Sequence, residues 1–482
     1  MKIAITSFEC VPFVKVGGLA DVAGTLPGFI KKKGIDVRLF LPLHKKIDRK
    51  KHRIKPMKQK LLVPVGDHLE EGYVWQAKLH GSIPVYFIEN EKYFGRDDIY
   101  RTSTGDHPDN PFRFVFFSRA VLECCKSVDF KPDVIHCNDM QTGLIPAYLK
   151  TLYRIDAFFS RAATVYTIHN IAYQGIYPVD VYPVAGFGWE DFVPAKFEYF
   201  GQMNFMKAGI VYSDKITTVS PTYANEIRTT NHHGRGLEGV LAGRQKDLTG
   251  VINGIDYKEW DPSADAGIKA RYSVSGREGK GECKRDLQET LNLPVSEVAV
   301  LAMVSRLDCL KGIDILCEIS EKLLQLPVQL VILGTGDKAY HDLLTVISKK
   351  YPKKFSLNLR FDNPLAHKIY AGSDVFLMPS MTEPCGLGQM IAMRYGTIPV
   401  VHRTGGLADS VAEFDPSTKK GTGFLFSDYK GVSLYGAIKK ALDIFRNNEE
   451  WPSLVNNAMK HDFSWDKPVK EYVKVYRSAI KK

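Results

Sequence analysis

Residues 2–42 read KIAITSFECVPFVKVGGLADVAGTLPGFIKKKGIDVRLFLP and decide the fold. The opening run KIAIT is short, apolar and partly β-branched, which predicts a buried strand. Apolar residues then recur at helical spacing from Leu19 to Ile30, and Gly34 ends the predicted helix. DVRLFLP predicts the next strand. A strand, helix and strand in this order form a βαβ unit, so the segment predicts a parallel sheet in an α/β protein.

The same alternation continues through the first half of the chain. PDVIHCND, ATVYTIHNIAYQG and DKITTVS each combine a strand-like run with polar residues at or after its end. In open α/β sheets, ligands bind beyond the carboxyl ends of the strands. The polar residues there, Asp139, His169, Asn170 and Ser220, are therefore the first candidates for a functional site.

The pattern restarts after a glycine-rich stretch at residues 231–256. With 482 residues, the chain is long for one hydrophobic core, so we expect two domains. We predict a Rossmann-like domain over 1–249, a second over 250–452, and helices over 453–482 that cross back to the first domain. The predicted fold is α/β, with two doubly wound parallel-sheet domains facing each other across a cleft.

Composition excludes several functional classes. The net charge of +11 invites a nucleic-acid interpretation, but the clusters at residues 31–33 and 45–51 lack interleaved aromatic residues and match no nucleic-acid-binding motif. None of the eight cysteines forms a Cys-x-x-Cys pair, as expected for reduced thiols in a cytoplasmic enzyme. No stretch of eighteen apolar residues occurs, so we predict neither a nucleic-acid nor a membrane partner.

A dinucleotide-binding fingerprint is formally present at Gly334-x-Gly336-x-x-Ala339. The acidic residue expected about twenty positions later at a strand end is missing, since Asp362 lies 26 residues after Gly336. We therefore favour a tight strand-to-helix turn over nicotinamide binding.

Two loops in the second half carry more chemistry. Arg306 and Lys311 follow a strand in MVSRLDCLKGIDIL, where two cations beside a helix terminus can stabilise a leaving diphosphate. Glu383 follows another strand in MPSMTEPCGLG, and Pro384 predicts the start of a helix. The chain contains no Asp-x-Asp motif, so these cations would do the work that Mg²⁺ does elsewhere, and we predict no metal and no cofactor.

Five motifs together resemble one family. KVGGLADV, TIHNIAYQG, VSRLDCLKG, SMTEPCGLGQ and HRTGGLADSV are similar to those of the bacterial and plastid glycogen and starch synthases, which are retaining glycosyltransferases of the GT-B architecture. The resemblance covers nearly the whole chain. It implies transfer of glucose from a nucleotide sugar, usually ADP-glucose, to the non-reducing end of an α-1,4-glucan, elongating glycogen or starch.

The resemblance also implies roles for individual residues. Arg306 and Lys311 match the diphosphate-binding pair, Glu383 matches the glutamate beside the glucosyl ring, and Asp139 and His169 match residues of the sugar pocket, with the His169 backbone or side chain contacting the glucose. The further residues expected at the ADP-glucose site are Lys15, Gly17, Gly18, Asn253, Phe361 (which could stack on the adenine), Cys385, Gly386, Leu387 and Thr404. Glu9 and Asp21 are weaker candidates for the cleft.

Three positions depart from the family pattern. Asn138 and Met140 stand where histidine and tryptophan are usual, and Gly388 stands where threonine is usual. We expect altered acceptor contacts near Asp139 and the loss of one hydroxyl near the phosphates. Alternatives that stay open are a UDP-glucose-dependent or sucrose-forming enzyme of the same fold, and a catalytically silent glucan-binding scaffold.

Overall fold

Two compact units make up the part of the chain that the computed structural model describes, residues 1–102 and 105–481. Unit 1 comprises Met1–Val219, Ala224–Val251 and Trp465–Lys482, and unit 2 comprises Ser220–Tyr223 and Ile252–Ser464. Ser103, Thr104 and Lys482 lie outside the described residues. The main break thus falls at 251/252, beside the expected 249/250.

Strands and helices alternate over much of unit 1, as the sequence pattern predicts, but four consecutive strands over residues 36–89 follow one another without a helix. Its strands are β1 (Lys2–Thr6), β2 (Asp36–Pro42), β3 (Lys55–Val65), β4 (His68–Leu79), β5 (Ile83–Glu89), β6 (Arg101–Thr102), β7 (Gly105–Asp106), β8 (Val134–Asn138), β9 (Ala163–Ile168), β10 (Ile176–Tyr177), β11 (Glu198–Tyr199), β12 (Gln202–Asn204), β13 (Lys215–Thr218) and β14 (Leu248–Gly250). The helices that begin before residue 252 are α1 (Gly18–Lys32), α2 (Glu91–Phe94), α3 (Asn110–Ser127), α4 (Leu144–Lys150), α5 (Tyr182–Ala185), α6 (Phe205–Tyr212), α7 (Pro221–Thr229), α8 (Asn231–Gly234) and α9 (Glu238–Gly243), with short 3₁₀ helices at Met140–Thr142, Val179–Val181 and Trp189–Asp191.

Within the described residues, the main sheet of unit 1 has the order β14-β13-β9-β8-β1-β2-β5-β4-β3. All neighbours from β14 to β5 are parallel, whereas β4 runs antiparallel to both β5 and β3. The central parallel strands β1, β8 and β9 are largely buried, as strands covered on both faces must be, whereas the edge strand β14 is partly exposed. The β3–β4 hairpin was not predicted from the sequence. Its residues alternate between exposed and buried, as in a sheet edge with one solvated face.

Unit 2 repeats the architecture with a smaller sheet. Its strands are β15 (Ala299–Val304), β16 (Val328–Leu333), β17 (Phe355–Asn358), β18 (Val375–Met378), β19 (Ile398–His402) and β20 (Phe424–Phe426). Its helices are α10 (Glu278–Thr290), α11 (Ile313–Leu324), α12 (Lys338–Lys350), α13 (Asn363–Gly372), α14 (Gly388–Arg394), α15 (Gly405–Ser410), α16 (Gly431–Phe445) and α17 (Glu450–Lys460), with a 3₁₀ helix at Cys309–Lys311. The strand order is β17-β16-β15-β18-β19-β20, parallel throughout. The predicted α/β class with two parallel sheets is confirmed.

The glycines of the dinucleotide-like fingerprint are explained by close packing of two loops. A Cβ at Gly334 would lie 1.8 Å from the Ser305 carbonyl oxygen, and one at Gly336 would lie 2.3 Å from that of Leu307. These glycines let the loop after β16 lie directly on the loop after β15, which agrees with the tight-turn interpretation.

The C-terminal segment divides between the units differently from the sequence expectation. Helix α17 packs within unit 2, against α14 and β19, so the return to unit 1 begins at Trp465 and not at residue 453. The last helix, α18 (Asp466–Ile480), buries Val469, Tyr472 and Tyr476 in the core of unit 1. Among the described residues, no helix is both long and apolar enough to cross a bilayer.

A buried hydrogen-bond chain ties α18 to the main sheet. The Tyr476 hydroxyl lies 2.9 Å from His136 Nδ1, His136 Nε2 lies 2.6 Å from Thr167 Oγ1, and Thr167 Oγ1 lies 2.5 Å from Thr217 Oγ1. Burial lowers the pKa of His136 to about 3, so this imidazole is neutral. The chain joins α18 to β8, β9 and β13.

Removing the Tyr476 hydroxyl should therefore destabilise unit 1. We expect Tyr476→Phe to cost on the order of 1 kcal/mol of unfolding free energy, because His136 Nδ1 is left buried without its partner. Urea unfolding checks this, with Ser478→Ala as the control, because that hydroxyl donates to Val475 O within its own helix. Equal effects of the two substitutions would contradict the role of the chain.

Candidate active site

In unit 1, the candidate residues gather at the carboxyl ends of β1, β8 and β9. The side chain of Glu9, 4% exposed, accepts hydrogen bonds at Oε2 from the backbone amides of Val16 (2.5 Å) and Gly17 (2.9 Å). The Tyr100 hydroxyl lies 3.2 Å from the other oxygen, Oε1. Burial raises the pKa of the Glu9 carboxyl, against the lowering effect of these three donors. Glu9 thus fixes the start of the Lys15–Gly18 loop.

The Lys15 ammonium is engaged within the same loop region. Its Nζ lies 2.7 Å from Oδ1 of Asp21, on the first turn of α1. Burial raises the pKa of Asp21, and the charge of Lys15 opposes that rise. Lys15 and Gly17, both expected at the donor site, have partners within the protein: the Lys15 ammonium contacts Asp21, and the Gly17 amide donates to Glu9. Glu9 and Asp21 are therefore partners of the loop.

Asp139 and His169 lie together at the ends of β8 and β9. Asp139 has a positive φ of 54° and accepts the His169 backbone N–H at 2.7 Å. Burial raises the pKa of the Asp139 carboxyl to about 7, and the nearby Glu9 charge contributes to the rise. Burial lowers the pKa of His169 to about 3. This site therefore presents a neutral imidazole and a carboxyl group that changes charge near neutral pH.

The Asn138 side chain bridges β1 and His169. Its Nδ2 donates to the Thr6 carbonyl oxygen at 2.9 Å, and its Oδ1 lies 2.8 Å from His169 Nε2. From the sequence alone, Asn138 stands out only as a departure from the family pattern. Met140, the second departure, is partly buried and packs close to Gly175, where an added Cβ would lie 3.1 Å from the Cβ of Met140.

In unit 2, the partly buried Lys311 and the buried Glu383 form an ion pair. Lys311 Nζ lies 2.6 Å from Glu383 Oε2, which also accepts from the Ser380 hydroxyl at 3.0 Å. Glu383 is 6% exposed. Asp308 accepts the Lys311 backbone N–H at 3.1 Å and lies 3.3 Å from the half-exposed Arg306 guanidinium. Arg306 and Lys311, the two predicted cations, therefore both lie on the loop after β15, and Lys311 forms an ion pair with the predicted glutamate, Glu383.

The loop after Glu383 differs from the prediction at one point. Pro384 does not start a helix; α14 begins four residues later, at Gly388. The intervening Gly386 has a φ of +71°, outside the helical range. Gly388 has a packing reason of its own, because a Cβ there would lie 3.0 Å from the Phe376 ring.

The other predicted donor-site residues of unit 2 are placed unevenly. Cys385 is buried, which raises the pKa of its thiol to about 12, and Asn253 is its hydrogen-bond neighbour. Leu387 directly precedes α14, and Thr404 directly precedes α15. Phe361 stands apart from these contacts with 82% of its surface exposed, before α13.

The pentapeptide Gly-Gly-Leu-Ala-Asp occurs twice in the chain, at residues 17–21 and 405–409, and the two copies lie in different environments. At the first copy, a Cβ on Gly18 would meet nothing within 4 Å, and one on Gly17 only a Glu9 oxygen at 3.7 Å. At the second copy, a Cβ on Gly405 would lie 2.0 Å from the Glu383 carbonyl oxygen, and one on Gly406 2.2 Å from that of Cys385. The first pair is open, and the second pair is packed against the loop that carries Glu383.

Comparisons with known proteins show the family to which the chain belongs. Residues 2–243 match the family described as Starch synthase catalytic domain, and residues 287–458 match Glycosyl transferases group 1. The chain is 46% identical to a protein named glycogen synthase from Thermotoga maritima, covering 100% of this chain and 99% of that protein. It is 43% identical to one of the same name from Koribacter versatilis, covering 99% and 98%.

The chain belongs to the glycogen and starch synthase family. It is therefore a glycosyltransferase. A solved structure described as the catalytic domain of starch synthase IV from Arabidopsis thaliana, bound to ADP and acarbose, superposes with a TM-score of 0.92 at 32% identity, covering 100% of this chain and 99% of that one. A sucrose-phosphate synthase from Thermosynechococcus elongatus has a TM-score of 0.59 at 17% identity, which shows a shared fold alone.

Two features of this family member were missed from sequence. The Tyr100 contact with Glu9 comes from a loop without any motif, and only the three-dimensional structure reveals it. Ser380 supports Glu383 from within the matched segment SMTEPCGLGQ, where a hydroxyl three residues before the glutamate was the available signal. Within the described residues, no group of three or more His, Cys, Asp or Glu side chains is arranged to hold a metal ion.

The two glycine pairs should respond differently to substitution. We expect Gly406→Ala to lower stability by about 2 kcal/mol or more, because the new methyl group meets backbone atoms that cannot rotate away. Gly18→Ala should leave stability unchanged or slightly raised, since alanine favours the helix start and meets nothing. Thermal unfolding of both variants checks this; equal losses would contradict the packing argument.

Asp139 should make stability depend on pH. Its folded-state pKa of about 7 lies above the usual 3.8, so the folded state holds a proton that the unfolded state has lost in that interval. The associated stability is present below pH 4 and is lost as the pH rises towards 7. Asp139→Asn cannot ionise, so the unfolding free energy of the wild type relative to this variant should fall by about 2–3 kcal/mol between pH 5 and 8.

Urea unfolding at several pH values measures this difference. Asp48→Asn is the control, because the Lys51 amide holds the pKa of the exposed Asp48 below its usual value and keeps it ionised throughout that range. A pH-independent difference between the wild type and Asp139→Asn would show that Asp139 titrates normally.

Proposed function

We propose that this enzyme transfers glucose from ADP-glucose to the non-reducing end of an α-1,4-glucan, with retention of configuration at the anomeric carbon. The observation that carries the proposal is the pairing of Lys311 with a buried glutamate, Glu383, beside a second cation, Arg306, on the loop after β15. Family membership and the starch synthase IV likeness, whose description names ADP, support a nucleoside diphosphate as leaving group.

Arg306 and Lys311 would stabilise the departing diphosphate. Negative charge grows on the bridging oxygen as the glycosidic bond breaks, and fixed cations lower the energy of that state more than that of the bound substrate. Asp308 and Glu383 hold these cations in place before the donor arrives. Glu383 would also face the sugar, where a carboxylate favours a developing positive charge at the anomeric carbon.

The residues of unit 1 would contact the sugar. His169 is neutral and held by two neighbouring side chains, which suits it to bind a hydroxyl group. The Lys15 side chain is 41% exposed in its ion pair with Asp21. It would leave Asp21 to contact the donor. Asn253, Cys385, Gly386, Leu387 and Thr404 would line the donor site in unit 2, and Phe361 would stack on the base.

We also infer that the enzyme works in the cytoplasm. Its cysteines are free thiols, and six of the eight are buried, as expected for a reducing compartment.

The assay that tests the proposal measures incorporation of radiolabelled glucose into glycogen from ADP-glucose or UDP-glucose. We expect incorporation from ADP-glucose, with the product linkage identified by α-amylase digestion. Preference for UDP-glucose would overturn the proposed donor, and no incorporation from either would favour the silent scaffold.

Substitution of Lys311 tests the proposed leaving-group chemistry. We expect Lys311→Ala to lower kcat by about a hundredfold or more, because the ammonium charge acts mainly in the transition state. Lys338→Ala is the matched control, since Lys338 is exposed and pairs only with Asp342 on the same helix. Circular dichroism establishes folding of both variants. Near-normal turnover of folded Lys311→Ala would remove Lys311 from the mechanism.

A further inference from the structure

The side chain of Asn138 is buried and forms two hydrogen bonds whose directions can be worked out. It is 2% exposed and lies just beyond the point where β1 and β8 stop pairing, since Thr6 pairs with Cys137. On one side lies the Thr6 carbonyl oxygen, and on the other lies Nε2 of His169. Both distances are below 3 Å, so the amide has two close partners.

The Thr6 carbonyl determines which way the Asn138 amide points. A carbonyl oxygen can only accept, so the group 2.9 Å from it must be the amide NH₂. The opposite orientation would place two oxygen atoms at that distance with no proton between them. The amide oxygen Oδ1 therefore faces His169, and an amide oxygen can only accept a hydrogen bond.

The amide orientation in turn determines the protonation of His169. With an acceptor 2.8 Å away, Nε2 carries the hydrogen. Burial holds the pKa of His169 near 3, so the ring is neutral at physiological pH and has a single N–H. The hydrogen is then absent from Nδ1, which keeps a free lone pair. Nδ1 also has no partner among the residues that the structure describes.

We propose that Asn138 is a positioning residue that holds His169 as the Nε2–H tautomer, so that Nδ1 accepts a hydrogen bond from a hydroxyl group of the transferred sugar. This inference rests on the proposed function and adds to it the direction of the contact: the sugar donates and the enzyme accepts. It also gives Asn138 a defined role in this chain.

The direction of the contact restricts which sugars bind well. A hydroxyl group satisfies Nδ1 by donating its proton, whereas hydrogen or fluorine at the same carbon cannot donate. Replacing that one hydroxyl leaves the Nδ1 lone pair unpaired in a buried site. The cost should be about tenfold in kcat/KM, the size expected for one lost neutral hydrogen bond.

The tautomer can be measured without any turnover. Protein labelled with ¹⁵N-histidine gives long-range ¹H–¹⁵N correlation spectra in which an unprotonated ring nitrogen resonates far from a protonated one. The His169 signals are those missing from His169→Gln. We expect the hydrogen on Nε2 in the wild type and a mixture of tautomers in Asn138→Leu. Hydrogen on Nδ1, or on both nitrogens at neutral pH, in the wild type would overturn the proposal.

The direction of the contact is tested with donors in which each glucose hydroxyl is replaced in turn by hydrogen and by fluorine. At the position whose hydroxyl contacts Nδ1, we expect both the deoxy and the fluoro donor to lower kcat/KM. The loss should be about tenfold larger in the wild type than in Asn138→Leu. Comparing the two enzymes cancels the inductive effect of fluorine, which is intrinsic to the sugar. Equal penalties in both enzymes would overturn the role of Asn138, and a fluorinated donor that escapes the penalty of its deoxy counterpart would show that His169 donates.

Asn358→Leu is the matched control. Asn358 is also a buried asparagine at a strand end, and within the described residues its amide donates to the Ile332 carbonyl of a neighbouring strand and to Ser356 Oγ, with no hydrogen bond to a histidine. It should leave the His169 tautomer and the hydroxyl penalties unchanged. If no nucleotide sugar reacts at all, the proposed function fails while the tautomer measurement still stands, so the two failures are distinguishable.

Discussion

Parallel pairing of β1, β8, β9 and β13 is the constraint on which the candidate site of unit 1 depends. Because these strands run in the same direction and in register, their last residues fall along one edge of the sheet. Backbone groups there have left the ladder and need other partners. Asn138 meets the Thr6 carbonyl and Asp139 meets the His169 amide. The site is therefore built from the same hydrogen-bonding groups that end the sheet.

The sequence predicts the buried parallel strands well for a related reason. A strand covered on both faces must be a continuous apolar run, so KIAIT and DVRLFLP are recognisable and their bounds match β1 and β2. The β3–β4 hairpin is solvated on one face, and its many charged residues interrupt the apolar runs by which the buried strands were predicted. Pro384 was expected to begin a helix, but Gly386 has a positive φ, which is incompatible with a helix at that residue, so α14 begins at Gly388.

The candidate site was predicted where a motif carries the residue and missed where packing alone brings it in. Lys311 and Glu383 are 72 positions apart, and each was predicted to follow a strand; the pairing of those strands, β15 and β18, is what brings the two residues together. The Tyr100 hydroxyl reaches Glu9 from 91 positions away through an irregular loop, for which no spacing rule exists. The role inferred for Asn138 depends on the position of the Thr6 carbonyl oxygen, a backbone atom whose position cannot be predicted from the sequence pattern.

The two Gly-Gly-Leu-Ala-Asp copies show how little a repeated string implies by itself. The aspartate of the first copy pairs with Lys15, whereas that of the second, Asp409, accepts from the backbone amide and hydroxyl of Thr222 within unit 2. The glycines differ in the same way: those of the first copy have open space beside them, and those of the second pack against the loop of Glu383.

The position of α18 in the chain also affects how the protein is made. This helix supplies Val469, Tyr472 and Tyr476 to the core of unit 1, yet it follows every residue of unit 2 in the sequence. During synthesis, the ribosome releases residues 252–464 before the helix that completes the first core. Unit 2 can therefore reach its final packing while the older part of the chain still exposes the apolar surface that α18 will cover, so the first half to be translated is the last to be finished.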